Sequence, residues 1–267
     1  MTDATIVDKP HTGHVAVVTG GAQGVGRAIA ARLLAGGCQQ MMIVGRDGAK
    51  GTQAAHELGA NGADVRFHAA DLAQVDAAIG MIDAAHGAFG KVTRLVNAAG
   101  LSDRGSILDT DPALWDKLMN VNARAPFFAI QRLAQLAQTG EYDATVVTVL
   151  STALHVGNSF LAPYSASKAA MANVTKNAAM ALRGSGIRVN AIAPGWMDTE
   201  GEDVVQKKWH GAGPDWLAKA EAAQPMGMLV KPSHLGELAS YLLGANSGVM
   251  TGAVIDFDQF VPGVYPE

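Results

Sequence analysis

The chain predicts an α/β fold: a doubly wound, seven-stranded parallel sheet with a lid before the last helix. Three observations carry this reading. Short β-branched runs alternate with helical apolar patterns along the chain. Each strand is separated from the next by a helix-length segment, the connection that parallel strands need. The first strand runs into a glycine-rich loop and then a helix, the arrangement with which such sheets meet ligands.

The elements follow in order. His14 to Thr19 is the first strand and Gly24 to Gly37 the first helix, with Val25, Ile29 and Leu33 at helical spacing. Met41 to Val44 is a strand, Asp47 to Leu58 a weak helix, and Asp64 to His68 alternates as a strand. Leu72 to Phe89 is a helix and Thr93 to Asn97 a strand. Pro112 to Gln138 is one long helix, with Asp109 or Asp111 as its cap. Thr145 to Leu150, Ile187 to Ile192 and Gly252 to Phe257 are the last three strands. Ala162 to Leu182 and Ser233 to Leu243 are the last two helices. Between them, Trp196 to Val230 is charged, rich in tryptophan and without a strand. A segment this long is expected as a partly helical lid.

With 267 residues, of which 49% are hydrophobic, the chain buries a sizeable core without staples. A net charge of -4 points away from nucleic acid or anionic membrane as a partner. The one cysteine, Cys38, excludes an intrachain disulfide and a cysteine-built metal site. No metal is expected. Met1 to Gly13 lacks the apolar core of a secretory signal, and no run is long enough to span a membrane. The expectation is a cytoplasmic protein.

In Thr19-Gly-Gly-Ala-Gln-Gly-Val-Gly26, Gly20, Gly24 and Gly26 let the backbone turn tightly beside a pyrophosphate. The helix that starts there offers free N–H groups to that anion. Gln23 and Val25 lie in the same loop. The second strand ends Val44-Gly45-Arg46, with arginine just past the place where a carboxylate would bind an NAD ribose. A guanidinium suits a 2′-phosphate, which favours NADP, with NAD as the alternative. Asp71 follows the third strand, where its carboxylate would accept from the adenine amino group, and Leu72 comes next. Asn97, Ala98 and Gly100 end the fourth strand, where small residues let the chain run along a cofactor.

Tyr164 and Lys168 lie four residues apart on one helix face. An ammonium beside a phenol lowers the tyrosine pKa from ~10 and suits it to proton exchange with an alcohol. Ser151 ends the fifth strand, at the same sheet edge.

Together these residues resemble the short-chain dehydrogenase/reductase family in its single-domain form. The resemblance rests on Thr19-Gly-x-x-x-Gly-x-Gly26, Asp71, Asn97-Ala-Ala-Gly100, Asn122, Ser151, Tyr164-x-x-x-Lys168 and Pro194-Gly195. It implies a Rossmann fold, with an N-terminal extension over 1–12 and a catalytic domain over 13–267. Residues 196–230 would be the substrate lid. It implies that Tyr164 is the general acid/base, that Ser151 places the substrate oxygen, and that Lys168 tunes Tyr164 and binds the nicotinamide ribose. Asn122 would hold a water linking Lys168 to solvent. Pro194-Gly195 would start the segment that covers the nicotinamide, and Thr199 would bind its carboxamide or a phosphate. Gln259 stands where many relatives carry glycine.

The reaction so implied is hydride transfer between NADP(H) or NAD(H) and a secondary alcohol or ketone. Ser151, His155, Asn158 and Trp196 are candidate substrate contacts, with His155 read as pocket lining. Tryptophan beside Asp, Glu, Asn and His suits a sugar- or polyol-like molecule, unless the lid charges simply face water. Phe260, Val261, Val264 and Tyr265 give the terminal segment an apolar character, which predicts a homotetramer or homodimer. The competing reading is a non-catalytic nucleotide-binding regulator on the same fold. Such a protein is expected to lose Ser151, Tyr164 or Lys168, and this chain keeps all three.

Overall fold

The computed structural model describes residues 8–263. Seven parallel strands form one sheet, ordered β3-β2-β1-β4-β5-β6-β7. They are β1 (Val15–Thr19), β2 (Gln40–Gly45), β3 (Asp64–Ala69), β4 (Arg94–Asn97), β5 (Ala144–Val149), β6 (Ile187–Pro194) and β7 (Val254–Phe257). The helices are α1 (Gly24–Ala35), α2 (Gly48–Leu58), α3 (Val75–Phe89), α4 (Pro112–Met119), α5 (Ala125–Thr139), α6 (Ala162–Leu182), α7 (Glu200–His210), α8 (Trp216–Ala222) and α9 (Pro232–Leu243).

The inner β-branched runs are strands because both of their faces are buried. Successive strand residues point to opposite faces. Val17, Leu95 and Val146 pack into one core with Met81, Leu133 and Met171 from α3, α5 and α6. Val18, Val96 and Val147 pack into a second core with Ile29, Ala54 and Leu235 from α1, α2 and α9. β1 lies between β2 and β4, so the strand order reverses there. The crevice at the carboxyl ends of β1 and β4 is therefore the switch point, where such sheets bind ligands.

Two expectations are corrected, for the long helix and for the start of the third, and two are made specific. The single helix over Pro112 to Gln138 is two, joined by a π-helical turn at Asn120–Arg124. Pro126 has no N–H to give to the Asn122 carbonyl four residues back, and the wider turn absorbs the lost bond. Asp111 is the cap, accepting from Leu114 N at 2.7 Å, while Asp109 ties Ser106 into the preceding turn. The third helix begins at Val75, leaving Leu72 buried ahead of it. The lid segment carries α7, α8 and one parallel bridge, Met197 to Val230.

Residues 196–230 have a small core of their own, in which Trp216 and Leu229 are buried. Trp196 stacks on Trp216 with ring centroids 6.5 Å apart, and Trp216 Nε1 donates to Asp203 Oδ1 at 2.7 Å. Gln259 has a structural reason to differ from glycine. Its Oε1 accepts from Met226 N and its Nε2 donates to Met228 O, each at 2.8 Å, fastening the end of the 196–230 segment to the residues after β7.

Residues 8–12, expected as part of an extension, are packed against the sheet's amino edge. His11 N donates to Gly36 O at 3.0 Å, and His11 Nε2 pairs with Ser240 Oγ at 2.9 Å. Phe260 and Val261 are exposed, whereas Val264 and Tyr265 lie outside the described residues. Among the described residues no helix is long and apolar enough to cross a membrane.

Candidate active site

A cleft of about 620 Å³ opens at the switch point. Its walls include Gly20, Gln23, Gly24, Val25, Gly26, Arg46, Asp71, Leu72, Ala98, Gly100 and Thr199. Asn97, Pro194 and Gly195 are not among the wall residues. Asn97 is buried, with Nδ2 3.4 Å from Thr148 Oγ1. Pro194 ends β6, and a Cβ on Gly195 would lie 2.1 Å from the Asp258 carboxylate.

The sequence builds the cleft's floor through close backbone approaches. Thr19 Oγ1 accepts from Ala98 N and Ala99 N, both at 3.0 Å, joining the ends of β1 and β4. Gly20 has φ +69°, and Gly26 presses so near it that a Cβ would lie 2.4 Å from the Gly20 carbonyl oxygen. Gln23 precedes α1 and makes no side-chain cap bond. The first-turn N–H groups of α1 are thus left for an anion.

At the far end of the cleft lie Arg46, Asp47 and Lys50. The Asp47 carboxylate is occupied as the cap of α2, accepting from Lys50 N at 3.0 Å. The Lys50 ammonium bonds the Gln23 side chain and lies 3.7 Å from Glu200. The sequence reading missed Lys50. Its signal was a second cation in the first turn of α2. Glycine-cradled space, an uncapped helix start and two cations at one end fit a dinucleotide.

Asn122 lies on the π-helical turn and is buried. Its Oδ1 accepts from Leu101 N at 2.9 Å, while Nδ2 donates to Leu101 O at 2.8 Å and Ser167 Oγ at 3.0 Å. Ser167 Oγ donates in turn to Tyr164 O at 2.7 Å. A Cβ on Gly100 would lie 3.4 Å from both Asn122 Oδ1 and Lys168 Nζ. That glycine is where the cleft meets the Tyr164–Lys168 face of α6.

Ser151 caps the 3₁₀ turn Thr152–His155, accepting from Ala153 N at 3.2 Å, and its hydroxyl bonds the Tyr164 side chain. Lys168 Nζ donates to Val149 O at 3.0 Å and sits 5.7 Å from the Tyr164 ring centroid. Burial lowers Lys168 to about 8. Burial also pushes the Tyr164 phenol up; the Ser151 bond opposes this and the Glu202 carboxylate adds to it. Burial is the largest of these influences, and Lys168 is not among them. Glu202, whose Oε1 accepts from Trp196 Nε1 at 2.7 Å, carried no sequence signal for this influence.

The candidate substrate contacts separate. His155 Nε2 pairs with Asp256 Oδ1 at 2.8 Å. Asn158 Oδ1 accepts from Phe160 N at 3.3 Å, within its own loop. Trp196 belongs to the lid's frame.

This fold, with a nucleotide-shaped cleft leading to a Ser–Tyr–Lys group, defines a dinucleotide-dependent oxidoreductase. A family model for short chain dehydrogenase matches residues 14–209, and the chain belongs to that family. It is 32% identical to 2-(S)-hydroxypropyl-CoM dehydrogenase 3 of Xanthobacter autotrophicus, over 91% of this chain and 94% of that protein. Galactitol 2-dehydrogenase of Agrobacterium fabrum is 31% identical, over 91% and 95%. A solved NADP active-site complex of Pseudomonas aeruginosa RhlG superposes with a TM-score of 0.84 at 30% identity, over 95% and 98%.

Proposed function

We propose that the protein transfers a hydride between NADP(H) and a secondary alcohol or ketone, with Tyr164 as general acid/base. One observation carries this. Lys168 Nζ lies 5.7 Å from the Tyr164 ring, on the face of α6 that the cleft reaches at Gly100.

The cofactor supplies the hydride acceptor; the chain supplies position and proton transfer. The glycine loop and the start of α1 hold the pyrophosphate, and Asp71 and Leu72 flank the adenine. Arg46 and Lys50 meet the 2′-phosphate, so NADP is preferred over NAD. Ala98 and Gly100 line the path to the nicotinamide with Asn97 buried behind them, Pro194-Gly195 start the segment that covers it, and Thr199 binds its carboxamide or a phosphate. Ser151 donates to the substrate oxygen, and Tyr164 takes the hydroxyl proton. Lys168 holds the ribose and, with Asn122, returns that proton towards solvent.

Residues 196–230 act as the lid over a polar, sugar- or polyol-like substrate. The galactitol relative supports that class. We also propose a cytoplasmic homo-oligomer. A groove of about 340 Å³ between α5 and α6, with Phe127 and Ile130 in its wall, supports self-association. A screen of sugars, polyols and simple ketones with both cofactors, followed by NADPH absorbance, tests the reading. Turnover of polyols with NADP supports it, and activity confined to apolar ketones or to NAD contradicts it.

A further inference from the structure

Arg104 lies on the loop after β4 and is drawn to the start of α6. Gly105 N donates to Phe160 O at 3.1 Å, and Ala162 N donates to Gly105 O at 3.0 Å. Tyr164 is two residues further on. The Arg104 guanidinium sits 4.5 Å from the Phe160 ring centroid and 5.8 Å from that of Trp209, at the end of α7. It also bonds His210 Nε2. Arginine only donates, so Nε2 accepts and Nδ1 carries the imidazole proton. Lys208 Nζ lies 4.7 Å from the same Trp209 ring.

Two cations thus converge on one indole. Among the described residues no carboxylate pairs with either, although the lid carboxylates are spoken for. Asp198 and Glu221 pair with Lys231, Asp203 with Lys207, and Glu200 with Lys50. Like charges gathered without a counter-charge repel one another, and an anion relieves that repulsion. A guanidinium held by two rings and an imidazole also loses little freedom when it grips a planar anion.

We infer that Arg104, Lys208 and the His210 Nδ1–H form an anion subsite at the substrate rim. The preferred alcohol then carries a carboxylate, sulfonate or phosphate at the end away from its carbinol. This rests on the proposed function, since Tyr164 must hold the reacting oxygen. It narrows a polyol-like substrate to an acidic relative, such as a sugar acid.

The test uses matched pairs: gluconate against sorbitol, and 3-hydroxybutyrate against its methyl ester. 2-Hydroxypropanesulfonate and glycerol 1-phosphate distinguish the three anions. Binding is read by tryptophan fluorescence, with Trp209→Phe assigning the signal, and turnover by NADPH absorbance. The expected result is at least about tenfold tighter binding of one anionic member. High salt should shrink that preference, Arg104→Gln erase it, and Arg104→Lys restore part of it. Equal binding within each pair, or a preference unchanged in Arg104→Gln, overturns the subsite. Selective anion binding without NADP reduction refutes the proposed function and leaves the subsite standing. Turnover of neutral alcohols alone does the reverse.

Discussion

The Asn122 side chain clasps the Leu101 backbone from both sides, accepting from its N–H at 2.9 Å and donating to its C=O at 2.8 Å. One amide thus locks the loop after β4 to the π-helical turn. The third polar contact, Nδ2 to Ser167 Oγ, carries the lock to α6. Replacing Asn122 by Leu strands both Leu101 groups and removes the donor to Ser167 Oγ, which keeps its own bond to Tyr164 O. We expect a loss of about 2 to 4 kcal/mol in unfolding free energy, measured by urea denaturation, and a fall in kcat. Asn122→Asp keeps the acceptor for Leu101 N but sets a carboxylate oxygen against Leu101 O, and is expected to lose at least as much stability.

Proton transfer should report the charges around Tyr164. Glu202 raises the phenol's pKa, so Glu202→Gln should move to lower pH the basic limb of the kcat/KM profile for ketone reduction, the direction in which Tyr164 gives up its proton. The Ser151 bond lowers it, so Ser151→Ala should move the limb to higher pH and also reduce kcat. Shifts in the same direction for both variants would contradict this assignment.

The amino-edge histidines predict acid sensitivity. His11 and His14 are each lowered from 6.5 to about 4, chiefly by burial, with Arg94 adding to it. A depressed histidine stabilises the fold above its unfolded pKa and loses that contribution as the pH falls from 6.5 towards 4. For His11, which is fully buried, the shift corresponds to about 3 kcal/mol. His11→Gln should flatten the dependence of Tm on pH across that window.

Cofactor choice should follow the cations beyond β2. Arg46→Asp is expected to raise the Kd for NADPH about ten- to a hundredfold and leave NADH binding less affected. Lys50→Gln should do so more weakly, because its ammonium is shared with Gln23 and Glu200. Isothermal titration with both cofactors reads the ratio.

Gly26→Ala should weaken dinucleotide binding more than Gly100→Ala. At Gly26 the added carbon meets backbone at 2.4 Å, whereas at Gly100 it meets two side-chain atoms at 3.4 Å.

Strands of Val, Ile and Thr buried on both faces were plain in the sequence, because composition alone marks them. The glycine loop was equally plain, since its backbone approaches tolerate no Cβ. The break at Asn122 was not legible, because Pro126 within a helical pattern signals a disturbance without its form. The direction of the Tyr164 shift was hidden too. A four-residue spacing places Lys168 on the same face but says nothing of how deeply phenol and ammonium are buried. Contacts between distant segments, such as Arg104 with Trp209 or Gln259 with Met226, have no local signature at all.

The central claim is that the Tyr164 hydroxyl moves the proton. Tyr164→Phe removes that oxygen and keeps the ring. NADPH binding, read by its fluorescence, should stay within about threefold, while single-turnover hydride transfer to the substrate found by the screen falls by about 10³-fold or more. Transfer retained within about tenfold of the wild type would contradict the account.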